Sequence, residues 1–353
     1  MPMTSRERVA AALRCETPDR IPWCEIGVDP YLVTELLGWG PENQAFSIEG
    51  QPYTLDQAQA IAGFLGLDNL YYVVRAPVFA EKVAGKDGRL FYGAGQIRTR
   101  ADLARLELPD PADPGVWDAA ARFLDGRGDY SAWLVTRAGI FPTMLGMGTE
   151  AFSLALYDDR ALVEETLDRY VAWACVVAEQ ATRLGFDAIV TTDDMAFGTT
   201  TFFSPHVFRD LCMPRYRALE RHIGIPWIIH SDGNMLPFMD DLLTLKIAAF
   251  HPWERAAMDI RDAKRRFGGR LCLIGNVDLN TLGMGTPQEV TDEVRGLIRD
   301  VAPGGGYIIS SGNSLAGYLR PENVLAMRDV LRSDGKYPIH DSANRVQFPV
   351  QVA

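Results

Sequence analysis

The sharpest chemical signal is a histidine and an aspartate flanking one serine and followed by a glycine, Ile228-Ile-His230-Ser-Asp232-Gly-Asn234. Neutral imidazole and carboxylate together suit zinc or another divalent ion. The same pair also makes a histidine oriented by hydrogen bonds with no metal, and both readings stand. Asp193 and Asp194 close another apolar run. Alternation along a strand sends adjacent side chains to opposite sides, so one acid can face a pocket while the other caps a turn. A carboxyl buried in such a pocket acquires a raised pKa and can act as acid or base. Glu25, His251, Glu254, Asn276 and Asp278 end further runs. His251-Pro-Trp-Glu254 offers extra metal ligands or, through Trp253, a wall for an aromatic substrate, although a structural hydrogen bond is the commoner role for any one of these residues. Arg75 and Arg137 can anchor an anionic group or serve as buried ion-pair partners.

What must position these groups is a set of eight short apolar runs: 20–25, 70–75, 133–137, 188–194, 226–232, 248–254, 271–278 and 307–313. Apolar runs without alternation are the mark of strands buried on both faces. Eight of them separated by helical segments predict an α/β fold, a (β/α)8 TIM barrel whose active site gathers at the C-terminal strand ends. Thr4-Ser-Arg-Glu7 has capping-box spacing and opens an N-terminal helix through Leu13. Residues 29–68 and 76–131 are longer than a βα unit needs and predict long insertions after the first two strands, with turns at 85–88, Gly93-Ala-Gly95 and Pro109-Asp-Pro111. A helix is expected over 158–179, and Ser204-Pro205 and Thr286-Pro-Gln-Glu289 read as helix starts. Gly304-Gly-Gly306 precedes the eighth run and reads as a tight turn. Residues 1–340 are expected to form one barrel domain and 341–353 a C-terminal tail.

Composition bounds the rest. The chain has 353 residues, 47% hydrophobic and 23% charged, the balance of an ordinary globular protein. A net charge of −11 argues against nucleic acid, whose binding needs clustered cations. No apolar stretch approaches the roughly 20 residues that span a bilayer, and the start lacks a signal peptide's apolar core. Five scattered cysteines with no C-x-x-C pair read as reduced thiols. A cytoplasmic protein with a small-molecule substrate is expected.

Taken in order, these pieces resemble the uroporphyrinogen decarboxylase superfamily, which includes cobamide-dependent methyltransferases. The resemblance rests on Glu7-Arg-Val-Ala-Ala-Ala-Leu-Arg14 with Pro18-Asp-Arg-Ile-Pro22, on Asp193-Asp194 before Ser204-Pro205 and Met213-Pro-Arg-Tyr216, and on His230-Ser-Asp232-Gly233. Gly275-Asn-Val-Asp278, Gly285-Thr-Pro-Gln-Glu-Val290 and Pro321-Glu-Asn323 continue it. It implies a (β/α)8 barrel, often a homodimer. There are departures. The decarboxylase holds a porphyrinogen's many carboxylates with an arginine-rich N-terminal segment, whereas Trp23-Cys-Glu-Ile-Gly-Val-Asp29 has no arginine and two acids. Thiol-methylating members bind zinc through His-x-Cys and a distant cysteine, and here those cysteine positions correspond to Asp232 and Asn313.

Histidine, aspartate and asparagine make a harder site than two thiolates, suited to an oxygen-bearing substrate. The resemblance therefore implies methyl transfer from a small oxygen-containing donor, a methoxylated aromatic above all, to a corrinoid carried on a separate protein. The catalytic residues expected are His230, Asp193, Asp194 and Glu25. Arg75, Arg137, Trp253, Asn276 and Asp278 are expected to bind substrate, and His230, Asp232 and Asn313 to hold a metal such as zinc. A decarboxylase of a small carboxylic acid or a uroporphyrinogen-like substrate, and a non-catalytic ligand-binding member of the fold, are the alternatives.

Overall fold

The computed structural model describes residues 2–40, 50–85 and 90–339. The expected tail, 341–353, and most of the predicted turn at 85–88 lie outside the described residues. Seven parallel strands curl into one sheet: β1 (Asn69–Val73), β4 (Ser131–Thr136), β5 (Ala188–Thr192), β6 (Trp227–His230), β7 (Ile247–His251), β8 (Cys272–Ile274) and β9 (Tyr307–Ile308), hydrogen-bonded in that order. Two more strands, β2 (Ala80–Ala84) and β3 (Leu90–Gly95), pair as an antiparallel hairpin inside the long excursion after β1. Helices fill the connections, which makes the architecture the expected α/β barrel.

The run 20–25, expected as the first strand, instead forms an irregular stave. Cys24 N–H donates to the Ile309 carbonyl and Ile309 N–H to the Pro22 carbonyl, so the stave lies beside β9. On its other edge Asp68 N–H donates to the Trp23 carbonyl, but there the backbone ladder stops. The Asn69 side chain continues it, accepting from Glu25 N–H at 3.0 Å and donating to the Glu25 carbonyl at 2.9 Å. Pro22 has no N–H to give a ladder, and an asparagine amide substitutes for a neighbouring strand. The barrel thus closes without a regular eighth strand.

Two apolar layers follow from strand alternation. Cys24, Ile26, Trp133, Val135, Ala188, Val190, Ile228, Ala249, Cys272, Ile274 and Ile308 fill the barrel interior. Their neighbours, such as Trp23, Leu134, Ile189, Ile229, Phe250 and Ile309, face outward against the helices. The capping box at Thr4 starts a helix over Ser5–Leu13, and the one at Thr286 starts Pro287–Asp300, as their spacing predicts. The helix expected over 158–179 runs instead over Arg160–Leu184, beginning at an Asp159 cap and ending on Gly185 at φ 80°.

Gly93-Ala-Gly95, read as a turn, belongs to β3. A Cβ on Gly95 would sit 2.3 Å from Gly148 N, so the glycine serves a close approach of the hairpin to the helix end rather than a bend. Gly304, Gly305 and Gly306 do form the expected tight turn, all at positive φ. No helix among the described residues is long and apolar enough to cross a membrane.

Candidate active site

Five strand ends build one cleft. Ile26, Gly27, Arg75, Arg137, Phe141, Thr192, Asp194, His230, Asp232, Asn313 and Ser314 line a cavity of about 280 Å³ at the C-terminal mouth. Phase explains most of this set. Val135, Val190 and Ile228 point into the barrel, so the side chains two and four positions on, Arg137, Thr192, Asp194, His230 and Asp232, continue the same inward face. A glycine follows Asp232 for a steric reason: Gly233 has φ 82°, and a Cβ there would lie 2.5 Å from the Ala196 carbonyl carbon. Its N–H donates to Glu254 Oε2 at 2.8 Å, which locks the turn.

At the centre lie Asp194, His230 and Asp232, each offering one ligand atom, all within 4.8 Å of one another. His230 Nε2 is 3.7 Å from Asp194 Oδ1 and 3.8 Å from Asp232 Oδ1. Two atoms bound tetrahedrally to zinc at ~2.1 Å lie ~3.4 Å apart, so the spacing fits a divalent ion after a small adjustment. Asp232 Oδ1 is buried with no hydrogen-bond partner. Its other oxygen accepts from Asn313 Nδ2 at 2.5 Å, and Asp194 Oδ1 accepts from Asp232 N–H at 3.1 Å. An orphaned carboxylate oxygen aimed at an imidazole nitrogen and a second carboxylate is a donor set for a hard cation. Asn313, expected as a ligand, instead presents its amide nitrogen to Asp232 and orients it, and Asp194 is the third residue whose atoms could hold an ion.

Burial, with the neighbouring Asp194 and Glu254 carboxylates, pushes the Asp232 carboxyl up to about 8. Burial also holds the His230 imidazole below its ordinary value, against the pull of Asp194, and takes His251 well below it. Both rings are therefore neutral at ordinary pH.

The cation side of the pocket is Arg75 and Arg137. Arg137 is buried and held in place: it donates to the Ala76 carbonyl at 2.9 Å and to the Tyr92 hydroxyl at 2.8 Å, and lies 5.3 Å from the centre of the Phe141 ring. Arg75 forms no ion pair among the described residues, and its buried Nε has no hydrogen-bond partner. Burial and the nearby Arg137 lower it to about 10, so it stays charged at neutral pH. Tyr92 comes from the hairpin, where no sequence signal pointed to the site.

Other expected residues lie elsewhere. Glu25 faces away from the barrel interior: Trp23 Nε1 and Ser311 N–H each donate to its Oε1 at 2.8 Å, and Ser311 Oγ to its Oε2 at 2.7 Å. Burial raises it to about 7, but it does not line the cavity. Asp193 likewise points outward and caps a helix, accepting from Ile140 N–H at 3.2 Å and Phe141 N–H at 3.0 Å. Burial pushes it to about 7 despite these bonds. Trp253 is fully buried between Phe250 and Phe267 and cannot form a substrate wall. Asn276 is buried and donates to the Trp253 carbonyl at 2.6 Å, while Asp278 caps the helix Leu279–Met284. Asp278 does line a second, outer cavity of about 460 Å³ with Phe197, Glu254, Arg255 and Tyr318, which meets the first at Asp232 and Asn313.

Glu25→Gln tests the structural role. A glutamine keeps the acceptor for Trp23 and Ser311 N–H and donates to the Ser311 hydroxyl. A carboxyl raised from 4.5 to about 7 binds more protons folded than unfolded, so it costs stability as pH rises through that window. The variant is expected to match the wild type near pH 4.5 and to exceed it by up to about 3 kcal/mol above pH 7, with activity retained. Denaturant unfolding across pH, alongside turnover, checks both.

A sequence profile of the family described as "Uroporphyrinogen decarboxylase (URO-D)" matches residues 74–333. The uroporphyrinogen decarboxylase of Methylococcus capsulatus is 27% identical over 251 residues, covering 65% of this chain and 68% of that enzyme. The one from Cupriavidus metallidurans is 25% identical over 320 residues, covering 84% and 83%. Among solved structures, a methyltransferase from Methanosarcina mazei superposes with a TM-score of 0.73 at 19% identity, covering 94% of this chain and 98% of that one. A B12-independent methionine synthase from Shewanella sp. W3-18-1 reaches 0.52 at 10% identity, covering 89% and 98%. At such identities the two structures speak for the fold alone. The profile match spans most of the chain, from the end of the first regular strand to the last helix, and by it the chain belongs to the uroporphyrinogen decarboxylase family.

Proposed function

We propose that this protein is a methyltransferase that takes a methyl group from a small, anionic, oxygen-containing donor, a carboxylated methoxyarene above all, and passes it to a corrinoid carried on a separate protein. The observation that carries the reading is the pairing, across one cavity of about 280 Å³, of an Asp194–His230–Asp232 cluster with the Arg75 cation, which forms no ion pair among the described residues. That volume is at the small end of ligand sites, roughly 300–1,000 Å³. It suits one substituted ring and not a linked tetrapyrrole. The N-terminal segment adds no cation: only Ile26 and Gly27 of it reach the cavity. Its two acids do not repel a substrate there, because Glu25 is turned away and Asp29 caps the helix Pro30–Leu37.

Each of the chain's own groups has a task. Arg75, with Arg137 beside it, holds the donor's carboxylate and fixes the ring. That binding points the ether oxygen toward His230, Asp194 and Asp232, and positions the methyl carbon at the open side. Asp194, His230 and Asp232 would hold a divalent ion, zinc or a similar metal, which supplies Lewis acidity to the departing oxygen. The corrinoid, when docked, supplies a nucleophilic cobalt. The outer cavity of about 460 Å³, with half-exposed Phe197 and exposed Tyr318 on its rim, leaves that side open to an incoming acceptor.

The direct experiment mixes the protein, a divalent metal, cob(I)alamin and methoxybenzoates, and follows the methyl–cobalt absorbance. No methyl transfer from any oxygen-linked donor overturns the reading. Arg75→Gln is expected to raise KM for carboxylated donors about 10–100-fold, with kcat nearly unchanged, since a charge-assisted hydrogen bond is worth about 1.5–3 kcal/mol. Neutral methoxyarenes should respond little, and initial-rate kinetics separate the two. A decarboxylase of a small acid is the second reading, favoured by the two arginines facing the pocket and by the activity of the curated relatives. It predicts carbon dioxide release with no corrinoid added.

A further inference from the structure

The cleft's histidine is one end of a buried chain. His230 Nδ1 lies 2.7 Å from His251 Nδ1, and His251 Nε2 lies 3.2 Å from Ser310 Oγ. The Ser310 hydroxyl donates to the Ser311 carbonyl at 2.8 Å. None of the three side chains belongs to a residue more than 5% exposed. Protons in such a chain can be assigned from its far end. A carbonyl oxygen only accepts, so the single Ser310 proton is spent there and Ser310 Oγ accepts from His251 Nε2–H. Neutral His251 is then bare at Nδ1 and accepts from His230 Nδ1–H. Neutral His230 is left with a lone pair on Nε2, and that atom faces Asp194 and Asp232.

We infer that His251 and Ser310 are positioning residues that hold His230 in its Nδ1–H tautomer and so keep a bare nitrogen aimed at the cleft. The inference rests on the reading of that cleft as the reacting centre, and it supplies what the centre needs. A ligand nitrogen already free of its proton takes a cation, or a proton, with no ring flip.

The alternatives fail on distance and charge. In the reverse polarity an N–H on His230 Nε2 would face two carboxylates at 3.7 and 3.8 Å, too long for either hydrogen bond. An imidazolium on His251 would be a buried charge facing only another imidazole and a hydroxyl.

Nitrogen-15 NMR of the metal-free protein with labelled histidine reads the tautomers directly. The chain has five histidines, and His206→Gln and His222→Gln, both on exposed rings, assist assignment. The expected result is a pyrrole-type Nδ1 and a pyridine-type Nε2 on His230, with the opposite pattern on His251. A protonated Nε2 on His230, or a charged His251, overturns the inference. Ser310→Ala removes the anchor; it should mix the tautomers and weaken Co(II) binding, measured by titration without any methyl donor, about 10–100-fold. Ser310→Thr keeps the hydroxyl and should restore both. A Ser310→Ala protein with unchanged ring signals and unchanged Co(II) affinity also overturns it. No part of this test uses methyl transfer, so its failure and a failure of the proposed activity are separate results.

Discussion

Asp232→Asn is expected to lower kcat for methyl transfer about a thousandfold while leaving the folded protein as stable as the wild type, or more stable. A Lewis-acid or charge contribution to the departing oxygen is worth several kcal/mol, and about 4 kcal/mol is a factor of about a thousand. The amide preserves the volume and the acceptor that Asn313 Nδ2 uses, but it removes the charge and the free oxygen that completes the cluster. Stability moves the other way. Asp232 sits near Asp194 and Glu254 with its carboxyl pushed up to about 8 from 3.8, so ionising it costs folding free energy. That cost is complete above pH 8 and fades as pH falls toward 3.8. The variant's advantage should follow the same window. Turnover, calorimetric metal binding and denaturant unfolding at pH 8 together check the claim. A variant retaining a tenth or more of wild-type kcat would remove Asp232 from the reacting centre.

A divergence of that kind is what an evolved site produces: groups held where folding alone would not put them. The same logic explains which parts of the site were legible in the sequence. Arg75, Arg137, Asp194, His230 and Asp232 could be named because each ends an apolar run, and the run itself announces a buried strand. What such a run hides is its phase. A strand buried on both faces carries no polar alternation, so nothing in Asp193-Asp194 says which acid looks inward. Glu25 is an example: it stands one residue out of phase with Cys24 and Ile26, which face the interior. Trp253 and Asn276 fail differently. They lie beyond their strands in loops whose direction depends on packing against Phe267 and the neighbouring segment, which local pattern does not encode.

The barrel was legible from strand count and helix caps, because capping boxes and apolar runs are local features. The hairpin over 80–95 was not. Its strands are mostly exposed, and Gly95 serves a contact with residues 145–148 rather than a turn. Tyr92 enters the site by that route alone. His251 illustrates a third case. It was visible as a candidate ligand, yet its ring meets His230 and Ser310 instead. The choice between ligand and orienting partner is a matter of a few ångströms between strands distant in sequence.

Asp68→Ala is expected to cost about 3–5 kcal/mol of stability, the usual penalty for deleting one partner of a buried charge cluster. The carboxylate is fully buried and accepts from five donors: Ser5 Oγ at 2.7 Å, Arg8 Nη1 at 2.7 Å, Arg20 Nη1 at 2.9 Å, Arg20 Nη2 at 2.8 Å and Trp23 N–H at 3.0 Å. It therefore ties the N-terminal helix, the irregular stave and β1 to one point. This is the seam where the backbone ladder is incomplete, so no row of strand hydrogen bonds can take over when the charge is removed. Deletion leaves Arg8, itself buried and otherwise held by Asp19, with an unanswered guanidinium nitrogen, and frees the Trp23 amide. Because the stave carries Ile26 and Gly27 to the pocket wall, the lesion should loosen that wall before it touches His230 on the opposite arc. The measurable signature is a large fall in denaturant midpoint, faster amide hydrogen exchange along 20–28 and β1, and Co(II) affinity at the cluster within a fewfold of wild type. A loss below about 0.5 kcal/mol, within the range of an ordinary surface change, would mean that apolar packing of Trp23 and Leu70 closes the barrel and the ion cluster only decorates its floor.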